Sequence, residues 1–286
     1  MSKPMNLIAV LLICVALLPI TGSPFLGASA APLAATAPPL PLATKGFAVL
    51  GGSTVTNTGP TIVTGDLGVS PGTAVTGFPP GSVIGTIHSA DAVALQAQSD
   101  ITTAYNDLAG QACNTVLTGQ DLGGMTLAPG VYCFSTSAQL TGNLVLDALG
   151  DPNAVWVFQI GSTLTTASNA SVAVINGGKR CNAWWQIGSS ATLGTGTVFA
   201  GNILADQSIT LNTSASMFGA ALARNAAVTM DTNNISKCFG PNAIALREFQ
   251  ATSASGSPFG LGAGAALLLA LGLIVIRRRV LATPSR

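Results

Sequence analysis

One four-residue phrase constrains this chain more than anything else in it. Thr192-Leu-Gly-Thr195, Thr210-Leu-Asn-Thr213 and Thr229-Met-Asp-Thr232 are three copies of T-x-x-T, beginning 18 and then 19 residues apart. The match extends upstream, where Val198 to Thr210 falls on Met217 to Thr229, with Phe199 on Phe218, Ile203 on Leu222 and Ile209 on Val228. A unit this short cannot bury its own apolar side and must stack on its neighbours, which is how solenoids are built. Ile209 and Leu211 alternate with Thr210, the period of two that belongs to a strand. The expected fold is mainly β, an irregular β-solenoid or β-helix.

Composition narrows the function classes. Only 7% of residues are charged, against about 25% in ordinary globular proteins. Between Lys45 and Gln250 six basic residues face ten acidic ones, so this stretch is near −4. No basic stripe exists for phosphates, which argues against nucleic acid as a partner. No Gly-rich loop stands in a phosphate-binding context, and no cofactor is expected. Asp147 and Asp151 lie in a turn and Asp206 falls opposite Asn225, so no acidic column suggests an enzyme. His88, the single histidine, sits where a helix begins and is read as capping or packing. Without a C-x-x-C or a second histidine, no metal site is expected.

The chain divides by composition. Residues 1–30 read as a secretory signal, with Lys3, the apolar run Leu7 to Ile20 and the cleavage-type Ala28-Ser29-Ala30. Residues 31–44 hold Pro32, Pro38, Pro39 and Pro41 and read as a linker. Residues 45–240 form the solenoid domain, broken by one helix. Ser89 is its expected cap, and Val93, Ala97, Ile101, Ala104/Tyr105 and Leu108 make its inward stripe up to Gly110. Residues 241–257 read as a spacer. Residues 258–279 contain 18 uncharged residues, Phe259 to Ile276, followed by Arg277-Arg278-Arg279. They suggest a C-terminal transmembrane-type helix or a sorting signal, with the membrane as a partner and 280–286 as a cytoplasmic tail. The expected location is the extracellular face, anchored to the cell membrane or envelope.

An exported chain keeps four cysteines, Cys113, Cys133, Cys181 and Cys238, which allow three pairings. Proximity in sequence favours Cys113–Cys133 and Cys181–Cys238.

Several phrases together resemble the ice-binding protein family built on the domain of unknown function 3494. They are Thr64-Gly-Asp-Leu-Gly-Val-Ser-Pro-Gly72, Ala90-Asp-Ala92, Ala104-Tyr-Asn-Asp-Leu-Ala109, Leu122-Gly-Gly124, Pro129-Gly-Val-Tyr132, Phe158-Gln-Ile-Gly-Ser162 and Ala221-Leu-Ala-Arg224. The resemblance covers about Phe47 to Ser236. It implies a triangular cross-section, a long helix packed along one side, a discontinuous order of coils, and ice binding through one flat face. These phrases are rich in Gly, Pro and apolar residues and so report the fold, not the binding surface.

Coils stack about 4.8 Å apart and alternate residues on a strand lie about 6.6 Å apart, so outward threonines form a grid of methyl and hydroxyl groups. Such a grid can order water without hydrating as strongly as charge. Thr192, Thr210 and Thr229 are expected in one outward column, with Thr195, Thr213 and Thr232 past a bend in a second. Thr195-Gly-Thr197 and Thr54-Val-Thr56-Asn-Thr58 have the T-x-T parity of a flat strand, and Thr54 and Thr56 are read as marking another possible face. The function expected is an exported, cell-surface-anchored protein adsorbing to ice or ordered water. The alternative is a structural or adhesive surface module without ice activity, with a cell-surface polymer as a possible partner.

Overall fold

A computed structural model describes residues 34–41 and 44–238. From Phe47 the chain winds in coils of three short strands, one strand to each of three parallel sheets. Coil 1 comprises Phe47–Gly51, Thr54–Thr58 and Ile62–Thr64, and coil 2 Asp66–Val69, Ala74–Thr76 and Ser82–Ile84. A further strand, Ile87–Ser89, leads into helix α1, Ala92–Ala109. Coil 3 follows with Thr115–Val116 and Thr126–Leu127, joined by a bridge at Asp121. Coil 4 is Gly130–Phe134, Ala138–Leu140 and Asn143–Asp147, and coil 5 is Trp156–Ile160, Leu164–Thr166 and Ser171–Ile175. Coils 6, 7 and 8 begin at Ala183–Ile187, Asn202–Ala205 and Ala221–Ala223. Their second-sheet strands are Ala191–Leu193, Ile209–Leu211 and Val228–Asp231, and their third-sheet strands Val198–Ala200, Ser216–Phe218 and Asn234–Ser236.

The coils do not stack in chain order. Val49 and Leu50 of coil 1 pair with Ala221 and Leu222 of coil 8, Val55 with Val228, and Val63 with Ile235. The stack therefore runs 3-4-5-6-7-8-1-2. The chain enters in the interior of the solenoid and winds to one end, and α1 then carries it back toward the other. The first sheet has nine strands, a span of about 38 Å at the usual strand spacing. The 18 residues of α1 cover about 27 Å of it at 1.5 Å per residue.

Inward residues make the core. Tyr132, Phe158 and Trp185 occupy one register position. Their rings stack at 5.5 and 3.9 Å between centroids, and Phe199 continues the pile 4.9 Å beyond Trp185. The inner strands of the first sheet are buried on both faces, because Leu50, Val131, Val157, Trp184, Leu204 and Leu222 point out of the solenoid into α1. That is why its strands read as unbroken apolar runs such as Trp156-Val-Phe158. Tight corners need glycine. At Gly201, with φ 109°, the chain turns from third sheet to first, and a Cβ on the stacked Gly219 would run into the carbonyl oxygen of Gly201.

The helix differs from expectation at its start. Ser89 ends a strand and donates its hydroxyl to the carbonyl of Thr73 at 2.7 Å. Asp91 is the cap, accepting from the Ala94 amide at 2.8 Å. His88 braces it: Nδ1 lies 2.7 Å from Asp91 Oδ2, and the ring sits 5.3 Å from that of Phe47. The buried stripe is Ala94, Ala97, Ile101, Ala104 and Leu108, with Val93 left exposed.

The fold class needs one correction. The expected C-terminal transmembrane-type helix is no part of this fold: among the described residues no helix is long and apolar enough to cross a membrane. The one α-helix among the described residues carries Asp100 and Asp107 and packs on the solenoid. Residues 1–30, 241–257, 258–279 and 280–286, expected as signal, spacer, anchor and tail, lie outside the described residues. Within the expected linker, Ala35 and Leu40 pack against the helix–sheet cluster. Thr36 exchanges two hydrogen bonds with the Gln111 side chain, at 3.0 and 2.8 Å.

Candidate functional site

The second sheet presents a face of mostly small polar residues. In its strands Ala138–Leu140, Leu164–Thr166, Ala191–Leu193 and Ile209–Leu211 the central side chain points out between two inward ones, whereas in Ala74–Thr76 the two end residues point out around inward Val75. Register then aligns the outward positions. Gln139 pairs with Thr165, Thr165 with Thr192, Thr192 with Thr210, and Thr210 with Thr229. Across the discontinuity Thr229 pairs with Thr56, and Thr56 with Thr76. Six threonines thus stand in one uninterrupted file, about 24 Å long over five strand spacings.

A second file lies two residues back on each strand. It comprises Ser137, Thr163, Ser190, Ser208, Ala227 and Thr54, and ends at Ala74, paired with Thr54. Backbone bonds from the following residues hold the earlier members in step, such as Ala191 N to Ser208 O at 2.9 Å and Ile209 N to Ala227 O at 3.0 Å. Hydroxyls join coils within these files. Thr163 donates to Ser137 at 2.8 Å, Ser208 to Ser190 at 3.0 Å, and Thr56 to Thr229 at 3.3 Å. Neither file holds a charged residue.

Thr192, Thr210 and Thr229 therefore share a column. Thr54 and Thr56, read from sequence as marking another face, lie on this same sheet. Thr195, Thr213 and Thr232 sit in the turns that leave it, Thr232 with φ 54°. The parity read into Thr195-Gly-Thr197 fails, because Thr197 is wholly buried and shares a 2.8 Å hydroxyl contact with Thr166 inside the corner. Position by position, Thr54, Thr56 and Thr58 do alternate with inward Val55 and Asn57. Thr165 and Thr76 complete the file. The sequence signal for Thr165 is Thr165-Thr-Ala-Ser168, a variant of T-x-x-T that aligns it with Thr192, whereas Thr76 offers only a Val-Thr ending that many strands share.

At the edge of the face stands one carboxylate. Asp231, paired with Thr58, accepts from Thr213 Oγ1 at 2.5 Å and from Thr232 Oγ1 at 3.0 Å. The Thr213 bond first, then those of Thr232 and Thr58, hold its pKa below the usual carboxylate value against a smaller opposing effect of burial. The opposite corner is tied by Arg224. It pairs with Asp206 at 2.8 Å and lies 4.4 Å over Tyr105 of α1. That explains Arg224 in structural terms.

The structure joins Cys113 to Cys133 and Cys181 to Cys238, with Cα separations of 6.0 and 5.4 Å. The second bond ties the segment after Ile175 to the end of coil 8. No group of three or more His, Cys, Asp or Glu able to hold a metal occurs among the described residues.

Residues 49–236 match the family model described as ice-binding-like. The chain belongs to the ice-binding-like family. It is 65% identical over 191 residues to an ice-binding protein of Nostoc sp. (strain HG1), covering 66% of this chain and 71% of that one. An ice-binding protein of Flavobacterium frigoris is 30% identical over 204 residues, 66% of this chain and 72% of its own. Among solved structures, an ice-binding protein from an Antarctic biological consortium superposes with a TM-score of 0.69 at 48% identity, covering 72% of this chain and 95% of that one.

Proposed function

We propose that this protein adsorbs to ice through the second sheet, with the file Thr165, Thr192, Thr210, Thr229, Thr56 and Thr76 as the central contact. The neighbouring file of Ser, Thr and Ala supports it. The six-threonine register carries the reading. Each threonine offers a methyl group that holds water off and a hydroxyl that fits a hydrogen-bonded lattice. The spacings are set by strand geometry and are close to rigid. A charge in the file would keep its own hydration shell and interrupt such a lattice. The names of the relatives point the same way. Two disulfides suit an oxidising compartment, and we infer that the domain works after export.

The direct test is recrystallisation inhibition and the shape of ice crystals grown with the purified protein. Crystals that grow unshaped and coarsen at the rate of buffer would refute ice adsorption and leave a surface module of another kind.

A further inference from the structure

The third sheet has an exposed face that the ice reading does not use. Its two long outward files, one through Val198 and Ser216 and the other through Ala200 and Phe218, contain no charged residue. Ile62, Ile84, Val198 and Phe218 are at least 36% exposed there. Across coils 5 to 8 the face hollows into a groove of about 500 Å³, floored by Ala173, Ala200 and Phe218 and rimmed by Arg180. Arg180 comes from the turn after coil 5, and its guanidinium lies 5.3 Å from the centre of the Phe218 ring. Among the described residues it has no carboxylate within ion-pair range. The side chains of Asn234 and Ser236, which also line the groove, make no hydrogen bond within the described residues.

We propose that this groove binds a carboxylate-bearing polysaccharide chain. The shape selects an extended polymer. Eight strands make a strip roughly 34 Å long and, at three residues per strand, about 10 Å wide. That is roughly 340 Å², less than half of the about 800 Å² per partner in a stable protein interface, so a second copy is poorly served. A peptide added by strand pairing needs a free sheet edge, and the groove lies on a face. Nucleic acid needs a run of cations along its phosphates, and this strip has one at its rim.

A sugar chain meets each feature present. Its C–H faces lie on Phe218 and Val198, and its hydroxyls bond to Asn234 and Ser236. A uronate carboxylate takes the outer N–H groups of Arg180, which the ring beneath holds in place. One guanidinium and a neutral floor fit a polymer with sparse carboxylates better than a densely sulfated one.

Affinity electrophoresis of the full-length chain in gels containing polygalacturonate or dextran tests this. The wild type should be retarded by polygalacturonate and not by dextran, with less retardation as salt rises. Arg180→Gln should weaken binding about tenfold, the effect of losing one charge-assisted contact. Phe218→Ala should weaken it as well, with melting temperature recorded for both. Thr210→Tyr, on the other sheet, should bind polygalacturonate as the wild type does, so this result stands or falls independently of ice activity. The proposal is overturned if polygalacturonate does not retard the wild type, if dextran retards it equally, or if Arg180→Gln binds unchanged. A concentration-dependent dimer that Phe218→Ala abolishes would also overturn it, by making the face a self-association surface.

Discussion

Replacing Thr210 with tyrosine tests the ice face most sharply. Thr210 is third in the file of six, half-exposed, with Thr192 and Thr229 in register on either side. Those neighbours lie about 4.8 Å away, closer than a tyrosine ring can clear without standing above them. A flat solid surface resting on the ring loses contact with Thr210 and both neighbours, three of the six methyl groups. At about 0.8 kcal/mol per buried methyl-sized group this is about 2.4 kcal/mol, roughly a fifty-fold loss of affinity for the surface. The fold should hardly notice, because the side chain points outward and surface changes cost within about 0.5 kcal/mol. For a domain of this size that is about 1–2 °C in melting temperature. Thermal hysteresis and recrystallisation inhibition should therefore collapse while the melt stays put. Asn143→Tyr, exposed on the third sheet, should leave both activities unchanged. Full activity in Thr210→Tyr with an unchanged melt refutes the assignment of the second sheet.

Four other outcomes follow from the packing. Phe158→Ala empties the middle of the aromatic pile and should cost about 3–5 kcal/mol in denaturant unfolding. Removing Cys181–Cys238, which spans 57 residues, should cost about 4 kcal/mol on the chain-entropy estimate, and removing Cys113–Cys133, which spans 20, about 3; an equal or reversed order in unfolding experiments would contradict it. Asp91→Ala should destabilise α1 through loss of its cap, read as faster amide exchange at Ala94. Asp231 and Asp91 have depressed pKa values in the folded state, Asp231 through Thr213 first and Asp91 through the Ala94 amide first, then His88. Their contribution is thus present above the ordinary carboxylate pKa and lost as pH falls below it through the folded values. Melting temperature should drop below about pH 4, and Asp231→Asn should show a shallower drop.

Closing coil 8 on coil 1 also bears on folding. Val55 and Val228 are paired neighbours whose contact closes a very long loop, and pairings this distant in sequence slow folding.

Local chemistry decided much of this protein from sequence alone. Short-range repetition of Ile209-Thr210-Leu211 and Val228-Thr229-Met230 requires stacked strands with threonine outward, since burying the two apolar neighbours leaves the hydroxyl on the solvent side. The helical stripe of Ala97, Ile101 and Leu108 requires an apolar surface to lie on, and the double-sided runs at Trp156 and Trp184 supply it. Those are properties of near neighbours in the chain, which periodicity records. Which coil meets which is another kind of fact. An inward apolar strand demands a neighbour without naming it, and the repeat phase of coil 1 suits several. Only the closure of coil 1 on coil 8, with α1 spanning the stack, selects one. That closure turned Thr54 and Thr56 from markers of another face into a continuation of the same one, and it brought Thr76 into line. Thr197 is buried for a local reason, at a corner against Thr166 of the preceding coil, because a turn resets the alternation that a strand maintains.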